Sequence, residues 1–141
     1  MREEPVMQVQ DLARELGVTT DTVRYYSRVG LLEPAKNPDN GYKVFGEQDR
    51  HRMRFILSAR QLGFSVTDIR QILQHADKGE SPCGLVRTLI EDRLEEVNRR
   101  FDDISRLKHR MEAAVESWSH EEDKCPTGDM ICHLIESFHE E

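Results

Sequence analysis

The side chains best suited to chemistry in this sequence are its three cysteines, Cys83, Cys125 and Cys132. An odd number does not fit a disulfide framework, and thiols that stay reduced can bind metal or react with oxidants. Three thiolates suit soft or borderline ions such as Zn(II), Cd(II), Pb(II) or Hg(II). Six residues, including a Pro-Thr-Gly-Asp turn, separate Cys125 from Cys132, so both sulfurs could face one ion.

Other uses of these side chains stay open. His120, His133 and His139 could add nitrogen ligands, which would favour zinc, although a single histidine is more often solvated than ligating. Cys83 could instead be a small apolar residue in a helix seam, and Cys125 an incidental loop residue. A thiol-based sensor of redox state or electrophiles is the alternative function, because cysteines near helix N-termini form reactive thiolates.

Two short helices joined by a tight turn are predicted near the N-terminus. Residues 8–17 have apolar side chains at helical spacing up to Gly17, and Thr19 or Thr20 can cap a second helix that ends at Gly30. This pattern is typical of a helix-turn-helix. The second helix carries side chains that can donate to phosphates or base edges, namely Thr20, Thr22, Arg24, Tyr25, Tyr26 and Arg28.

A basic hairpin is predicted directly after this pair. The Asn-Gly at 40–41 is typical of a two-residue hairpin turn, with Lys36 on one arm and Tyr42, Lys43 and Phe45 on the other. Next to a recognition helix, such a hairpin can lie along the DNA backbone as a wing. An ordinary surface hairpin is the alternative.

A second helical pair is predicted over residues 47–62 and 66–76, with Gly63 ending the first helix and Ser65 capping the second. The side chains expected to face inward are Met53, Phe55, Ile56, Leu62, Val66, Ile69, Ile72 and Leu73.

A long helix is predicted to begin with Ser81 as N-cap and Pro82 as its first residue, and to run to Trp118. At about 1.5 Å per residue it is roughly 50 Å long and cannot bury an apolar seam within its own chain. The heptads therefore predict a coiled coil with a partner. The seam has Cys83, Ile90, Val97, Ile104, Met111 and Trp118 at d and Leu94, Phe101 and Val115 at a, with Arg87 and Lys108 interrupting the a column.

The tail is predicted to form a polar loop over 119–130 and a short helix over 131–140, capped by Asp129. Its anchoring face would be Leu134, Ile135 and Phe138. The fold class is therefore mainly α, with three parts: a winged helix-turn-helix DNA-binding domain (1–76), a linker and coiled-coil dimerisation helix (77–118), and a metal-binding loop with a short C-terminal helix (119–141).

Charge and composition limit the functions available. The net charge is −7, but residues 1–75 hold eleven Lys/Arg against ten Asp/Glu, so the N-terminal half remains compatible with DNA. Neither a membrane span nor a secretion signal is visible, and we expect a cytoplasmic protein. Motifs for an enzyme are missing, and the 23 residues after Trp118 are too few for a drug-binding pocket.

Three stretches and the long helix resemble the mercury-resistance-regulator (MerR) family of transcription factors over essentially the whole chain. The stretches are VQDLARELGVTTDTVRYYSRVGLL, NPDNGYKVF and RFILSARQLGFSVTDIRQIL. The resemblance implies a homodimer joined by antiparallel long helices and bound to a palindromic operator in double-stranded promoter DNA. It also implies that effector binding bends and untwists an overlong promoter spacer, so that RNA polymerase engages both promoter elements.

The resemblance also implies which residues contact DNA. Carried over onto matching positions, these are Arg24 and Tyr25 in the recognition helix, Tyr42 and Lys43 in the wing, and Arg60, all mainly as phosphate contacts. The chain departs from the family where Ser27 replaces an acidic residue and where Lys43 and Phe45 replace Arg and Tyr. Lysine lacks the bidentate fork of arginine, so the wing contact is expected to be weaker.

Antiparallel helices would bring Cys83 of one chain beside the tail of its partner. Parallel pairing would leave them roughly 50 Å apart at the helical rise per residue. Cys83, with the partner's Cys125 and Cys132, then resembles the ligand set of the metal-sensing branches, and His120 and His133 are possible extra ligands. A copper(I) sensor stays open as an alternative but is less favoured, since such members tend to lack the cysteine at the helix start.

Overall fold

A computed structural model describes residues 7–139, which form two compact units, one ending at Arg93 and one starting at Leu94. The described residues are mainly helical, as predicted. The elements in chain order are α1 (Val9–Leu16), α2 (Thr20–Arg28), β1 (Ala35–Lys36), β2 (Lys43–Val44), α3 (Glu47–Gln61), α4 (Val66–Asp77), α5 (Cys83–Trp118) and α6 (His133–Glu136).

The predicted helix-turn-helix is confirmed by α1 and α2. Gly17 ends α1 in the left-handed region at φ 70°, which a residue without a Cβ adopts at no steric cost. Thr19 then caps α2, its hydroxyl accepting the Thr22 backbone N–H at 3.2 Å. One face of the pair, including Leu12 and Val23, is fully buried.

The hairpin exists, but the predicted two-residue turn is wrong. Lys36 pairs with Lys43, and the Asn37 N–H donates to the Tyr42 carbonyl at 2.8 Å, which leaves residues 38–41 as a four-residue loop. A two-residue type I′ turn needs positive φ at both Asn40 and Gly41, and only Gly41 has it, at 73°. The loop is held instead by the Asn40 side chain, which accepts the Tyr42 backbone N–H at 3.0 Å.

Phe45, expected on the wing, is a core residue. It is 1% exposed, and its backbone forms an antiparallel bridge to Met7 in which each N–H donates to the other carbonyl. The base of the hairpin is thereby fixed to the start of the helix-turn-helix.

The second helical pair, α3 and α4, is also confirmed, with two errors in its inward face. Met53 and Ile56 are fully buried, but Phe55 is 36% exposed and Leu62 66% exposed. Phe55 follows Met53 by two positions, about 200° around a helix, so it cannot share the face of Met53. Leu62 lies beyond the end of α3, as its C-cap. The Ser65 cap of α4 is as predicted, its hydroxyl accepting the Asp68 N–H at 3.1 Å.

One hydrophobic core joins these elements, and the start of α5 contributes to it. Leu89 is buried, and Leu85, Val86 and Ile90 pack against the core. The buried members of the core are Leu12, Ala13, Val23, Tyr26, Leu31, Leu32, Phe45, Met53, Ile56, Ala59, Phe64, Ile69, Ile72, Leu73 and Leu89.

Helix α5 begins at Cys83, one residue later than predicted. The Pro82 carbonyl accepts the Val86 N–H at 2.8 Å, so Pro82 is the flanking residue rather than the first helical one. The Ser81 hydroxyl accepts the Cys83 N–H at 3.4 Å. From Leu94 onward the predicted seam is open to solvent. Six of its side chains are 55–70% exposed in the single chain, namely Leu94, Val97, Phe101, Ile104, Met111 and Val115.

The tail helix is much shorter than predicted. It spans His133–Glu136 after Cys132, and Asp129 does not cap it. The Glu136 carboxylate takes that role by accepting the backbone N–H groups of Ile131 at 2.9 Å and of Cys132 at 2.7 Å. Of the predicted anchoring face, Leu134 and Phe138 are partly buried, whereas Ile135 is exposed.

Candidate DNA-binding surface and metal ligands

A groove of about 510 Å³ brings three of the predicted DNA-binding residues together. Arg24 of α2 lines it on one side, and Tyr42 and Lys43 of the hairpin line it on another. The antiparallel register of the hairpin and the Phe45–Met7 bridge place the second arm here. The full lining is Gln8, Val9, Gln10, Arg24, Ser27, Tyr42, Lys43 and Phe45.

Two cations and a phenol on one concave surface can bind a phosphodiester backbone. Tyr42 is 66% exposed, and Lys43 is exposed as well. Lys43 forms no ion pair with another residue in the range 7–139, so its charge is available to a ligand. The groove therefore offers a site for one stretch of DNA backbone between the recognition helix and the wing.

Arg24 is held at the surface by its own helix. Its guanidinium donates to the Thr20 hydroxyl at 3.2 Å and to the Asp21 carboxylate at 3.3 Å. An exposed pair of this kind is worth little, about 0–1 kcal/mol, so a phosphate can displace Asp21 without a large penalty. Thr20 thus positions Arg24, while the Thr22 hydroxyl is hydrogen-bonded to that of Thr19 at 2.8 Å.

The two tyrosines of α2 divide between surface and core. Tyr25 is 38% exposed, with the Arg28 guanidinium 5.5 Å from its ring centroid. Tyr26 is buried against it, edge to face at 5.1 Å between centroids. Tyr25 is therefore the one of the two that can reach DNA, and Tyr26 supports it.

Arg60 lies apart from the groove residues, at the end of α3. Its guanidinium donates to the Phe64 carbonyl at 2.9 Å across the turn before α4, and the residue is exposed. This bond orients the side chain and leaves other N–H groups of the fork for a phosphate. Its DNA contact stays a prediction.

Sequence reasoning missed Gln8 and Gln10, which also line the groove. The Gln10 side-chain amide donates to that of Gln8 at 2.9 Å. Their position just before and within the first turn of α1 was a usable signal, because the first helix of a helix-turn-helix crosses the DNA backbone.

The three cysteines are free thiols. Cys83 is exposed as the first residue of α5, Cys125 is exposed in the loop after α5, and Cys132 is partly buried next to α6. Among residues 7–139 of the single chain, no cluster of three or more His, Cys, Asp or Glu side chains could hold a metal ion. The ligand set predicted to be shared between two chains stays a prediction.

Local contacts within the second unit organise the loop that carries Cys125 and Cys132. The Trp118 indole N–H donates to the Leu134 carbonyl at 3.0 Å, and the Phe138 ring packs edge to face on Trp118 at 6.0 Å between centroids. Trp118 was predicted to occupy the last d position of the seam, and within the second unit it contacts the tail.

His133 is fixed by a second contact in the same loop. Its Nε2 lies 2.9 Å from the Glu122 carbonyl oxygen, which can only accept, so Nε2 donates and Nδ1 is the ring nitrogen not engaged by this bond. Metal-binding histidines are commonly oriented in this way by a carbonyl on the other ring nitrogen. His120 is exposed, with Nε2 3.7 Å from the Glu116 carboxylate, and has no such support.

The fold and the groove define a winged helix-turn-helix DNA-binding protein. Two family models match the chain: one described as MerR HTH family regulatory protein over residues 7–76, and one described as MerR, DNA binding, over residues 50–114. The chain belongs to the MerR family of transcriptional regulators.

Curated relatives cover most of the chain. The mercuric resistance operon regulatory protein of Bacillus cereus is 28% identical over 92% of this chain and 94% of its own length. The HTH-type transcriptional regulator ZntR of Escherichia coli K12 is 31% identical over 74% of each chain. These relatives are transcriptional regulators, not enzymes.

Solved structures agree on the fold. The lead(II) complex of the transcription regulator PbrR691 from Ralstonia metallidurans CH34 matches with a TM-score of 0.72 at 22% identity, covering 93% of this chain and 98% of that one. EcmrR, solved on DNA in the complex EcmrR-RPo, matches with a TM-score of 0.66 at 30% identity, covering 82% of this chain and 40% of that one. In residues 7–139, none of the helices has the length and apolar character to cross a membrane.

Proposed function

We propose that the protein is a metal-responsive transcriptional regulator that binds a palindromic promoter operator as a homodimer. When a soft or borderline metal ion binds, it distorts the operator DNA and activates transcription of metal-resistance or efflux genes. Family membership supports the regulatory role, and the name of the Bacillus cereus relative and the lead(II) complex of PbrR691 support a metal effector.

The exposed seam of α5 supports the homodimer. Apolar side chains recur at heptad spacing from Leu94 to Val115, and Phe101 in their middle is 70% exposed in the single chain. Burying one such large side chain is worth about 1.5–3 kcal/mol, so leaving the whole seam in water is unfavourable. A second copy of the chain offers the same seam, so pairing of two copies would bury both seams in a two-fold symmetric contact.

The positions of the three thiols relative to α5 carry the metal proposal. Cys83 is exposed at the first residue of α5, and Cys125 and Cys132 follow its last residue, Trp118, in the adjoining loop. In an antiparallel pair, the first residue of one helix lies beside the last residue of the other. Each end of the dimer would then hold Cys83 from one chain with Cys125 and Cys132 from its partner.

The chemistry of that set suits Zn(II), Cd(II), Pb(II) or Hg(II), with Cu(I) less favoured because two thiolates in linear array would suffice for it. His133 is the better-placed candidate for a fourth ligand, because the Glu122 carbonyl orients its ring through Nε2 and leaves Nδ1 as the nitrogen for an ion. A site of three thiolates and one imidazole would favour zinc, whereas a site of thiolates alone would favour the softer ions.

The groove between α2 and the hairpin supports the proposed mode of DNA binding. Arg24, Tyr42 and Lys43 together would hold phosphates, which fixes the position of the protein but carries little sequence information. Distortion of the operator would then depend on the distance between the two grooves of the dimer. The free-energy cost of that distortion is set by the DNA sequence between the two contacted segments.

Metal titration of the reduced protein tests this proposal. We expect thiolate-to-metal absorption to saturate at one ion per protomer, and Cys83→Ser to weaken or abolish it. Promoter transcription measured across Zn(II), Cd(II), Pb(II), Hg(II) and Cu(I), with hydrogen peroxide as a separate arm, identifies the effector. Activation by peroxide alone, with no metal response, would favour the thiol-based redox sensor instead and refute the metal proposal.

A further inference from the structure

The first three turns of α5 belong to the compact unit that ends at Arg93, which also contains the helix-turn-helix and the hairpin and is called the DNA-binding unit below. Leu85 and Leu89 lie one turn apart on the same face of α5 and pack against the core formed by α1–α4. Arg93, one further turn along that face, ends this contact stripe. The helix that begins with Cys83 is therefore attached to the DNA-binding unit through its first eleven residues.

An ion pair between a buried carboxylate and a partly exposed guanidinium closes this attachment. Asp68, in the first turn of α4, is 5% exposed, and the Nε of Arg93 lies 3.2 Å from its Oδ2. The same oxygen accepts the backbone N–H of Ser65 at 3.0 Å, the residue that caps α4. One carboxylate oxygen thus contacts both the cap of α4 and the long helix.

The burial of Asp68 makes this contact resistant to displacement. A carboxylate removed from water is unfavourable unless a cation and hydrogen-bond donors compensate it. A shift of α5 along or around α4 would move the Arg93 guanidinium away from the Asp68 carboxylate. The carboxylate would then lose this cation and keep the hydrogen bond from the Ser65 backbone N–H. The ion pair therefore opposes relative movement of the two helices.

We propose that the Arg93–Asp68 pair fixes the start of α5 to α4, so that a displacement of Cys83 on metal binding moves the DNA-binding unit. Without the ion pair, the displacement of Cys83 would change the conformation of the connection at 78–82 and leave the DNA-binding unit in place. This inference rests on the proposed function and deepens it, by naming how the effector site acts on the DNA. Arg93 is a positioning residue that acts through Asp68, and neither side chain is a metal ligand.

A merely structural role makes a different prediction. If the pair serves only stability, its removal lowers thermal stability and DNA affinity together and leaves the ratio of induced to basal transcription unchanged. If it transmits movement, DNA affinity and metal affinity stay near wild type while that ratio falls.

The test compares Arg93→Ala, Asp68→Asn and the double variant with wild type. Arg93→Lys restores a charge of the same sign, and Arg99→Ala is the matched control, because Arg99 is exposed on the same helix away from the heptad seam. For each we would measure thermal unfolding, operator affinity, metal affinity and transcription with and without the metal that induces wild type.

We expect Arg93→Ala to lower the induction ratio roughly 2- to 30-fold, the range that mutations along a coupling network produce. The double variant should be no worse than either single one, Arg93→Lys should recover part of the ratio, and Arg99→Ala should equal wild type. Unchanged induction in Arg93→Ala, or a loss explained by weaker operator binding, would overturn the inference.

Amide hydrogen exchange of the metal-free protein separates this inference from the proposed function. Arg93→Ala should accelerate exchange over residues 83–93 and leave the exchange of residues 100–118 unchanged. A wild-type protein that no metal induces would defeat the proposed function, and the exchange result would still decide whether the pair fixes α5. Equal exchange in wild type and Arg93→Ala would overturn the inference by itself.

Discussion

Removing the charge of Lys43 should weaken operator binding in a way that depends on salt. Lys43 is exposed in the groove that Arg24 and Tyr42 also line, and it forms no ion pair with another residue in the range 7–139, so its charge is available to a phosphate. Each phosphate neutralised by a cation contributes about −0.9 to the slope of log K against log salt concentration. The proposed homodimer has two copies of Lys43, so Lys43→Ala should make the slope shallower by about 1.8.

This change of slope has a measurable consequence. Over a fourfold range of salt, from roughly 50 to 200 mM, a slope change of about 1.8 corresponds to an affinity change of about 12-fold. The loss of operator affinity in Lys43→Ala relative to wild type should therefore be about 12-fold larger at the low end of the salt range than at the high end.

Fluorescence anisotropy of a labelled operator across this salt range measures both quantities. Lys124→Ala is the matched control, because Lys124 is an exposed lysine in the tail, outside the groove. A Lys43→Ala slope equal to that of wild type would refute the assignment of Lys43 to a phosphate, and an equal flattening in Lys124→Ala would refute the groove as the location of the contact.

Three further perturbations have outcomes set by other parts of the structure. Phe101→Lys places two charges in the exposed seam and should weaken dimerisation roughly 100-fold or more, which sedimentation would detect; an intact dimer would contradict the seam. Trp118→Phe removes the N–H that donates to the Leu134 carbonyl and should weaken metal binding about 10-fold in a competition titration, whereas unaltered affinity would show that this contact does not organise the loop. The hydrogen bond from Arg50 lowers the pKa of Glu47 below its ordinary value of 4.5. The stabilisation by this contact is therefore complete above pH 4.5 and is lost as the pH falls through the lowered pKa. Arg50→Ala should reduce the pH dependence of the melting temperature in the acid range, and an identical dependence in variant and wild type would refute the role of Arg50.

Local signals made most of the DNA-binding unit predictable. Gly17 at the end of α1 and Thr19 before α2 are residues whose side chains, or lack of one, specify helix ends within a few positions in sequence. The seam of α5 is equally visible, because heptad spacing persists over many turns. These features depend little on the rest of the molecule.

Features that depend on tertiary contacts were less predictable. The Asn40-Gly41 pair is compatible with a two-residue turn, but backbone bonds from Asn37 and the bridge of Phe45 to Met7 favour a wider loop. Phe55 was assigned to the core on its apolar character, although it is two positions from Met53 and hence on another face of α3.

The candidate sites show the same division. Arg24, Tyr42 and Lys43 were proposed from the sequence as DNA contacts, but their meeting in one groove with Gln10 needed the hairpin register. The orientation of His133 by the Glu122 carbonyl joins residues eleven positions apart in an irregular loop, for which no sequence pattern exists. The ligand set shared between two chains stays a prediction.

Mixing two inactive variants tests that shared set most directly. Cys83→Ser retains the loop thiols, and the Cys125→Ser/Cys132→Ser variant retains Cys83, so neither homodimer should hold a complete site. Subunit exchange between them creates a heterodimer in which one end has Cys83 from one chain and both loop cysteines from the other. We predict that the mixture regains one metal ion per heterodimer with thiolate-to-metal absorption. A mixture that exchanges subunits and still binds no metal would contradict a site shared between the chains.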